Sequence, residues 1–205
     1  MHTLHGLYAV TDAHLQAPGQ LAVNVSLAID GGAALVQYRD KSDNHRLRLQ
    51  QAKALAGICR TRGVPLVIND DVKLAGDCGA QGVHLGRDDA DARAARSLLG
   101  AEAIIGVSCY NNLSLAHRAA ESGADYIAFG RFFPSQTKPE AVQASPDLIR
   151  QAKQELSLPV AAIGGITPDN AGQLIDAGAD MLAVVNGIFA AADIQRAAAD
   201  YSVFF

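Results

Sequence analysis

The residues best suited to chemistry lie in the segment 34–41, Ala-Leu-Val-Gln-Tyr-Arg-Asp-Lys. Its first half is apolar enough for a buried strand, and Gln37, Arg39 and Lys41 occupy every second position, so they share one face. An uncompensated buried cation is costly, and an anionic ligand would offset that cost. The alternative is a strand end at the surface, where Arg39 and Lys41 are solvated. For an isolated Arg-x-Lys pair the alternative is favoured, so the decision depends on the rest of the chain.

Length and composition predict one domain, residues 1–205. Of the 205 residues 49% are hydrophobic, which is enough for a large core. Cys59, Cys78 and Cys109 are odd in number and widely spaced in apolar sequence. This pattern predicts three small core residues, not a disulfide framework or a cysteine metal site.

Charge and hydropathy narrow the expected partners. The net charge of −4, without a run of lysines and arginines, argues against a nucleic-acid or anionic-membrane surface. No basic segment followed by an apolar stretch begins the chain, and no apolar run is long enough to span a membrane. We therefore expect a cytoplasmic protein with small-molecule substrates, and a homo-oligomer is compatible with the sequence.

Eight short apolar runs predict eight β-strands. They are residues 7–11, 35–39, 66–69, 82–85, 104–108, 126–130, 160–164 and 181–185. The stretches between them have helical spacing, as after the Ser42-Asp43-Asn44 cluster, which is suited to capping a helix. About 26 residues per strand-and-helix unit are close to the lower limit for an α/β fold of the (β/α)8 TIM barrel type.

An acidic-x-Gly-Ala motif supports this count. It occurs at 30–33, 77–80, 121–124 and 176–179, each time before an even-numbered strand. The glycine would end the preceding helix in the left-handed conformation. A doubly wound open sheet also alternates strands and helices, but it gives no reason for eight near-equal units. The sequence therefore favours the barrel.

Polar residues follow the predicted strands, at the end where such barrels bind ligands. Gly164-Gly165 precedes Thr167, a helix N-cap, and Pro168 at the first helical position. With Asn186-Gly187 after strand eight, this pattern is typical of a phosphate site between the last two loops. The alternative is two tight turns that need glycine for a positive φ.

Carboxylates near the cations suggest a second subsite. Asp70 and Asp89 follow strands three and four, close to Arg39 and Lys41. Mg²⁺ typically binds one or two carboxylates together with phosphate oxygens, so a diphosphate held by Mg²⁺ and these cations would balance the charges. Salt bridges around the rim are the alternative. His84 is interpreted as a core or supporting histidine.

Motifs across the whole barrel then resemble one family. They are Gln37-Tyr38-Arg39-Asp40-Lys41, Ile68-Asn69-Asp70, Gly82-Val83-His84-Leu85-Gly86 with Asp89, Gly106-Val107-Ser108, Phe132-Phe133-Pro134-Ser135-Gln136-Thr137-Lys138 and Ile163-Gly164-Gly165-Ile166. In this order and spacing, from residue 8 to residue 189, they resemble thiamine-phosphate synthase. The family usually has Thr-Pro-Thr-Lys at 135–138 and Ser at 186. Gln136 and Asn186 keep a polar group at these positions, so the departures bear on contact details more than on the reaction.

The resemblance implies a transferase that joins a hydroxymethylpyrimidine diphosphate to a thiazole phosphate and releases diphosphate, through a pyrimidine carbocation. It implies that the pyrimidine diphosphate is held by Gln37, Tyr38, Arg39, Asp40, Lys41, Asn69, Ser108 and Lys138. It assigns the thiazole phosphate to Ser135, Gln136, Thr137, Gly165, Val185 and Asn186, and Mg²⁺ to Asp70 and Asp89. Among these, Arg39, Lys41, Ser108 and Lys138 are the predicted catalytic residues.

Two other functions are compatible with the same barrel. A thiazole tautomerase resembles the synthase but carries a catalytic histidine just after strand six, where this chain has Arg131. A regulatory barrel that binds a phosphorylated metabolite without turnover would keep Gly164 and Gly165 but would not need Asp70, Asp89 and Lys138 together. The synthase is the favoured prediction.

Overall fold

The computed structural model describes residues 4–15, 19–86, 91–134 and 142–205. Eight parallel strands form a closed barrel in chain order, and β1 pairs with β8 to complete it. The strands are β1 (Gly6–Val10), β2 (Ala33–Tyr38), β3 (Leu66–Asn69), β4 (Gly82–Leu85), β5 (Ile104–Tyr110), β6 (Tyr126–Gly130), β7 (Val160–Ile163) and β8 (Met181–Val184). The predicted (β/α)8 barrel is confirmed.

Helices follow the strands on the outside of the barrel. They are α1 (Leu21–Asp30), α2 (His45–Arg62), α3 (Val72–Cys78), α4 (Ala92–Leu99), α5 (Leu113–Glu121), α6 (Pro146–Glu155), α7 (Pro168–Asp176), α8 (Asn186–Phe189) and α9 (Ile194–Ser202). The four-residue helix α8 is inserted between β8 and α9. In the part of the chain that the structure describes, no helix is long and apolar enough to cross a membrane.

Interactions between residues close in sequence determine several helix ends. The side chain of Asn44 accepts a hydrogen bond from Leu47 N at the start of α2, as the polar cluster at 42–44 predicts. The four repeat glycines have positive φ values, from 70° to 102°, and end their helices. They are Gly32, Gly79, Gly123 and Gly178.

One hydrophobic layer lies on each side of the sheet. The barrel interior is filled by alternate strand residues, which are Tyr8, Val10, Leu35, Val67, Ile104, Tyr126, Ala128, Ala161, Met181 and Ala183. A larger layer packs between the strands and the helices and contains the free thiols of Cys59, Cys78 and Cys109, as predicted. Among the described residues, the buried polar side chains are Thr11, Asp12, Gln37 and His84. All four lie toward the carboxyl ends of their strands, which makes that end of the barrel polar.

One strand boundary changes the interpretation of the segment 34–41. Strand β2 ends at Tyr38, so Arg39 and Lys41 follow the strand instead of belonging to it. Arg39 is still held against β1, because its backbone N–H donates to Oγ1 of Thr11 at 2.9 Å. The two cations therefore lie in the loop at the rim of the barrel, and only Gln37 of the three residues lies within the strand.

Candidate active site

A cavity of about 460 Å³ opens at the carboxyl ends of the strands. Its size is typical of a small-molecule site. The predicted substrate residues that line it are Gln37, Arg39, Asn69, Ser108, Gly164, Gly165, Val185 and Asn186. The structure therefore brings residues from both predicted subsites to one cavity.

A second cavity of about 500 Å³ adjoins the first. Asp40 and Lys41 line it, together with Asp12 and His14 from the loop after β1. Arg39 and Asn186 line both cavities, so the two spaces meet at these residues. The Asp40 carboxylate also accepts a hydrogen bond from Ser42 N at 2.7 Å, which stabilises the turn after β2.

Both predicted cations have carboxylate partners. The Arg39 Nη1 atom lies 3.2 Å from Oδ2 of Asp12, and Nζ of Lys41 is hydrogen-bonded to Oδ2 of Asp70. The pairing expected for rim salt bridges is therefore present. It is compatible with anion binding, because a guanidinium has five N–H donors and an ammonium has three. The two carboxylates orient the cations at the rim.

Asp70 lies at the end of β3 in an unusual backbone conformation. Its φ is +63°, a left-handed value that non-glycine residues rarely adopt and that often occurs at functional sites. The Asn69 side-chain amide donates to Oδ2 of Asp70 at 2.6 Å. The neighbouring Asp71 has a structural role, since it caps α3 through Leu74 N and pairs with Arg48 at 2.8 Å.

The predicted metal site is only partly within the described residues. Asp89, the second predicted ligand, lies outside them, as do Asp88 and the residues Ser135, Gln136, Thr137 and Lys138. Within the described ranges, no three His, Cys, Asp or Glu side chains are grouped to hold a metal. Of the two predicted ligands, Asp70 is the one that the structure describes. Its carboxylate is a hard oxygen donor at the rim, which is compatible with Mg²⁺ because this ion needs only one or two carboxylates.

Tyr38 does not line the cavity, although it was predicted to contact substrate. Side chains alternate along a strand, so Tyr38 points away from Gln37 and toward the helices. Its hydroxyl donates to Gln51 at 2.7 Å, and burial raises its pKa. The structure therefore gives Tyr38 a packing role.

A chain of hydrogen bonds crosses the floor of the cavity. Gln37 Nε2 donates to Tyr8 OH at 2.5 Å, and the hydroxyls of Tyr8 and Tyr126 are 2.7 Å apart. Tyr126 OH lies 2.8 Å from Nδ1 of His84, and Nε2 of His84 lies 2.9 Å from Oγ of Ser108. Burial raises the pKa of both tyrosines, so each keeps its proton. His84 thus supports a predicted substrate residue, Ser108.

The residues of the predicted phosphate subsite lie at the ends of β7 and β8. Gly164 and Gly165 have φ values of +105° and +65°, and Thr167 caps α7, whose first residue is Pro168. A Cβ on Gly165 would lie 2.3 Å from the carbonyl oxygen of Pro134. The positive φ values are ones that glycine adopts without strain, which agrees with the interpretation as tight turns. The two glycines also line the cavity, as a phosphate site requires.

Four residues of the site were not predicted from the sequence. Tyr8 and Tyr126 looked like ordinary core residues, Asp12 was not considered, and Arg131 was noted only for replacing a histidine. Arg131 lines the cavity, and among the described contacts its Nε has no hydrogen-bond partner. A signal was present for the tyrosines, because both occupy inward positions of their strands, like Gln37 and His84.

Similarity to known proteins identifies the family to which this cavity belongs. A family model described as thiamine monophosphate synthase matches residues 7–188, which include nearly the whole barrel. The chain belongs to the thiamine-phosphate synthase family. A thiamine-phosphate synthase of Nitrosococcus oceani is 53% identical over 203 residues, covering 99% of this chain and 94% of that protein. One from Thiobacillus denitrificans is 52% identical over 200 residues, covering 98% and 94%.

A solved structure supports the same family. Thiamine phosphate pyrophosphorylase from Pyrococcus furiosus is similar with a TM-score of 0.89 at 30% identity, covering 99% of this chain and 96% of that one. The family resemblance predicted from the motifs is therefore confirmed. Thiamine-phosphate synthases are transferases, and the cavity residues from Tyr8 to Gly187 all fall within the matched range.

Proposed function

We propose that this chain joins 4-amino-2-methyl-5-(diphosphooxymethyl)pyrimidine to a thiazole phosphate, giving thiamine phosphate and diphosphate. The observation that best supports the proposal is that residues from both predicted subsites line one cavity. Gln37, Asn69 and Ser108 contribute polar groups from β2, β3 and β5. The glycines after β7 and Asn186 after β8 lie on the same cavity, as a reaction between two bound substrates requires.

The proposed reaction needs charge stabilisation and positioning more than a side-chain nucleophile. The bond between the pyrimidine methylene carbon and the diphosphate oxygen breaks, and its electron pair leaves with the diphosphate. The thiazole nitrogen then forms the new bond to that carbon. We assign stabilisation of the departing anion to Arg39 and Lys41, with help from Lys138, which lies outside the described residues.

Mg²⁺ is part of the proposal. Asp70 is held at the rim beside Lys41, and Asp89 follows the neighbouring strand in sequence. These two carboxylates would hold the ion, which would neutralise part of the diphosphate charge when bound. Without a cation, a diphosphate beside Asp70 would meet an unfavourable negative charge. We also propose small-molecule substrates as the partners and the cytoplasm as the compartment.

The decisive experiment is incubation of the purified protein with both substrates and Mg²⁺, followed by measurement of thiamine phosphate and diphosphate. We expect the two products in equal amounts. Isomerisation of a thiazole phosphate without any pyrimidine would instead indicate the tautomerase. Binding of either phosphate compound without turnover would indicate the regulatory barrel, and both of these results contradict the proposal.

A further inference from the structure

Arg131 differs from the other partly buried arginines of the described chain, which are Arg39, Arg48 and Arg96. Each of those three lies between 2.7 and 3.2 Å from a carboxylate oxygen. Arg131 forms no ion pair within the described ranges, and its Nε is buried without a hydrogen-bond partner there. Because it also lines the cavity, its uncompensated charge indicates an anionic ligand.

Backbone contacts fix Arg131 beside the predicted phosphate subsite. The N–H groups of Phe132 and Phe133 donate to the carbonyl oxygens of Ile163 and Gly164, at 3.2 and 3.0 Å. A Cβ on Gly164 would lie 2.4 Å from Cβ of Arg131, so glycine at this position lets the two loops approach closely. Arg131 and Gly164 therefore lie side by side in the wall of the cavity.

The barrel places Arg131 far from the cations assigned to the diphosphate. Arg131 follows β6, whereas Arg39 and Lys41 follow β2, and these strands are four positions apart in either direction around the closed sheet. Strand β6 pairs with β7, and β7 pairs with β8. Gly165 and Asn186 follow β7 and β8. The location of Arg131 thus matches the thiazole phosphate and not the diphosphate.

The residues assigned to the two anions also differ in charge. Arg39, Lys41 and Lys138 are assigned to the diphosphate, whereas every residue assigned to the thiazole phosphate is neutral. The neutral residues are Ser135, Gln136, Thr137, Gly165, Val185 and Asn186. A phosphate monoester carries a charge of about −1.5 to −2 at neutral pH. Arg131 would supply the cation that these assignments lack.

We propose that Arg131 binds the phosphate group of the thiazole substrate through its guanidinium. This inference rests on the proposed function. A guanidinium can donate two parallel hydrogen bonds to phosphate oxygens, which adds orientation to the charge attraction. The side chain can turn toward the ligand without breaking a hydrogen bond of Nε, since this atom has no partner in the described part of the chain. Arg131 is thus a substrate-binding residue and takes no part in bond breaking.

The first test removes the phosphate from the substrate and the guanidinium from the protein. We measure kcat/KM for thiazole phosphate and for the thiazole alcohol that lacks the phosphate, each with saturating pyrimidine diphosphate and Mg²⁺. Arg131→Gln should lower the preference for the phosphate compound by about tenfold or more, because charge-assisted hydrogen bonds are lost. Activity with the alcohol should be nearly unchanged, because it has no anion for Arg131 to bind.

Arg150→Gln is the matched control. Arg150 is exposed on α6 and pairs with Asp147 at 2.6 Å, so this variant loses the same charge away from the cavity. Its preference for the phosphate compound should stay within about twofold of the unmodified protein. An unchanged preference in Arg131→Gln, or an equal fall in Arg150→Gln, would overturn the inference. So would a higher KM for the pyrimidine diphosphate alone, which would assign Arg131 to the other anion.

The second test measures binding without turnover, by calorimetric titration of thiazole phosphate into the protein. The Kd should rise by about tenfold or more in Arg131→Gln and stay within about twofold in Arg150→Gln. Equal Kd values for Arg131→Gln and the unmodified protein would refute the inference. If the Kd rises as expected but the unmodified protein makes no thiamine phosphate, the proposed function alone is contradicted.

Thermal unfolding of the ligand-free variants separates binding from packing. Since Arg131 has no ion pair among the described residues, its replacement by glutamine should change the melting temperature by no more than about 2 °C. Added thiazole phosphate should raise the melting temperature of Arg131→Gln less than that of the unmodified protein. A large fall in the melting temperature without ligand, with the phosphate preference unchanged, would show that Arg131 has only a packing role.

Discussion

The guanidinium of Arg39 lies 3.2 Å from the carboxylate of Asp12, across the carboxyl ends of β2 and β1. The two side chains are only 19% and 10% exposed, whereas the side chain of Lys41 is 62% exposed. The two rim cations therefore differ in what they contribute to stability. Loss of Arg39 leaves a mostly buried carboxylate unpaired, and loss of Lys41 leaves Asp70 close to solvent.

Lys41→Gln should separate catalysis from stability. If Lys41 stabilises the departing diphosphate, turnover should fall by about 100-fold or more, because such interactions strengthen as charge develops. The free energy of unfolding should change by no more than about 1 kcal/mol. Single-turnover rates and urea unfolding measure the two effects. Arg62→Gln, which breaks a pair with Asp30 between α1 and α2, is the control and should keep the full rate.

Arg39→Gln should lower both turnover and stability, and a second substitution should separate the two losses. Adding Asp12→Asn removes the unpaired carboxylate, so the double variant should recover most of the lost stability. Turnover should stay low, because the cation that faces the diphosphate is still absent. Recovery of turnover together with stability would mean that Arg39 has only a structural role.

Activity should require a divalent ion and the carboxylate of Asp70. Excess chelator should abolish turnover and added Mg²⁺ should restore it, while Asp70→Asn should stay inactive at any Mg²⁺ concentration. Asp71→Asn is the matched control, because asparagine also caps helices well and α3 should persist. It loses only the pair with Arg48, so turnover should be retained. Full turnover in chelator would disprove the metal assignment.

The buried thiols should make the protein less stable in alkaline solution. Burial raises the pKa of Cys59 and of Cys109 from 9.0 to about 12. Between these pH values the unfolded chain releases thiol protons that the folded chain keeps, so the free energy of unfolding falls as pH rises. Each thiol contributes about 1.4 kcal/mol per pH unit, and below about pH 9 neither contributes a slope. Urea unfolding at several pH values measures this decline.

A variant with both Cys59→Ala and Cys109→Ala tests the origin of that decline. Its stability at neutral pH should be lower, because two core side chains are shortened. Above about pH 9, however, its free energy of unfolding should fall less steeply than that of the unmodified protein. An equal slope in the two proteins would assign the decline to other groups.

Two glycine substitutions should have opposite effects on stability. In Gly106→Ala the new methyl group overlaps the ring of Tyr126, so we expect a loss of about 1–3 kcal/mol together with weaker turnover. In Gly57→Ala, inside α2, a Cβ has no other atom within 4 Å. Alanine should there stabilise the helix by about 0.5–1 kcal/mol. Thermal unfolding of both variants measures these changes in stability. Destabilisation by Gly57→Ala would contradict the prediction for α2.

Local patterns in the sequence determined the order of strands and helices and the polar end of the barrel. Hydrophobic periodicity, the repeat glycines and the cluster before α2 act over a few residues, so they can be recognised without a structure. The same holds for Gly164, Gly165 and the cap at Thr167. Strand ends were predicted within about two residues. This small error was enough to include Arg39 in the predicted strand, although β2 ends at Tyr38.

Only the tertiary structure decided which side chains meet. Alternation along β2 separates the faces of Gln37 and Tyr38, but it does not say which face is inside until the barrel closes. The hydroxyls of Tyr8 and Tyr126 are 118 residues apart in sequence and 2.7 Å apart in space. Such contacts depend on closure of the sheet and on the packing of its interior, which no short-range pattern records. The pairing of Arg39 with Asp12 and the hydrogen-bond chain from Gln37 to Ser108 follow from that closure.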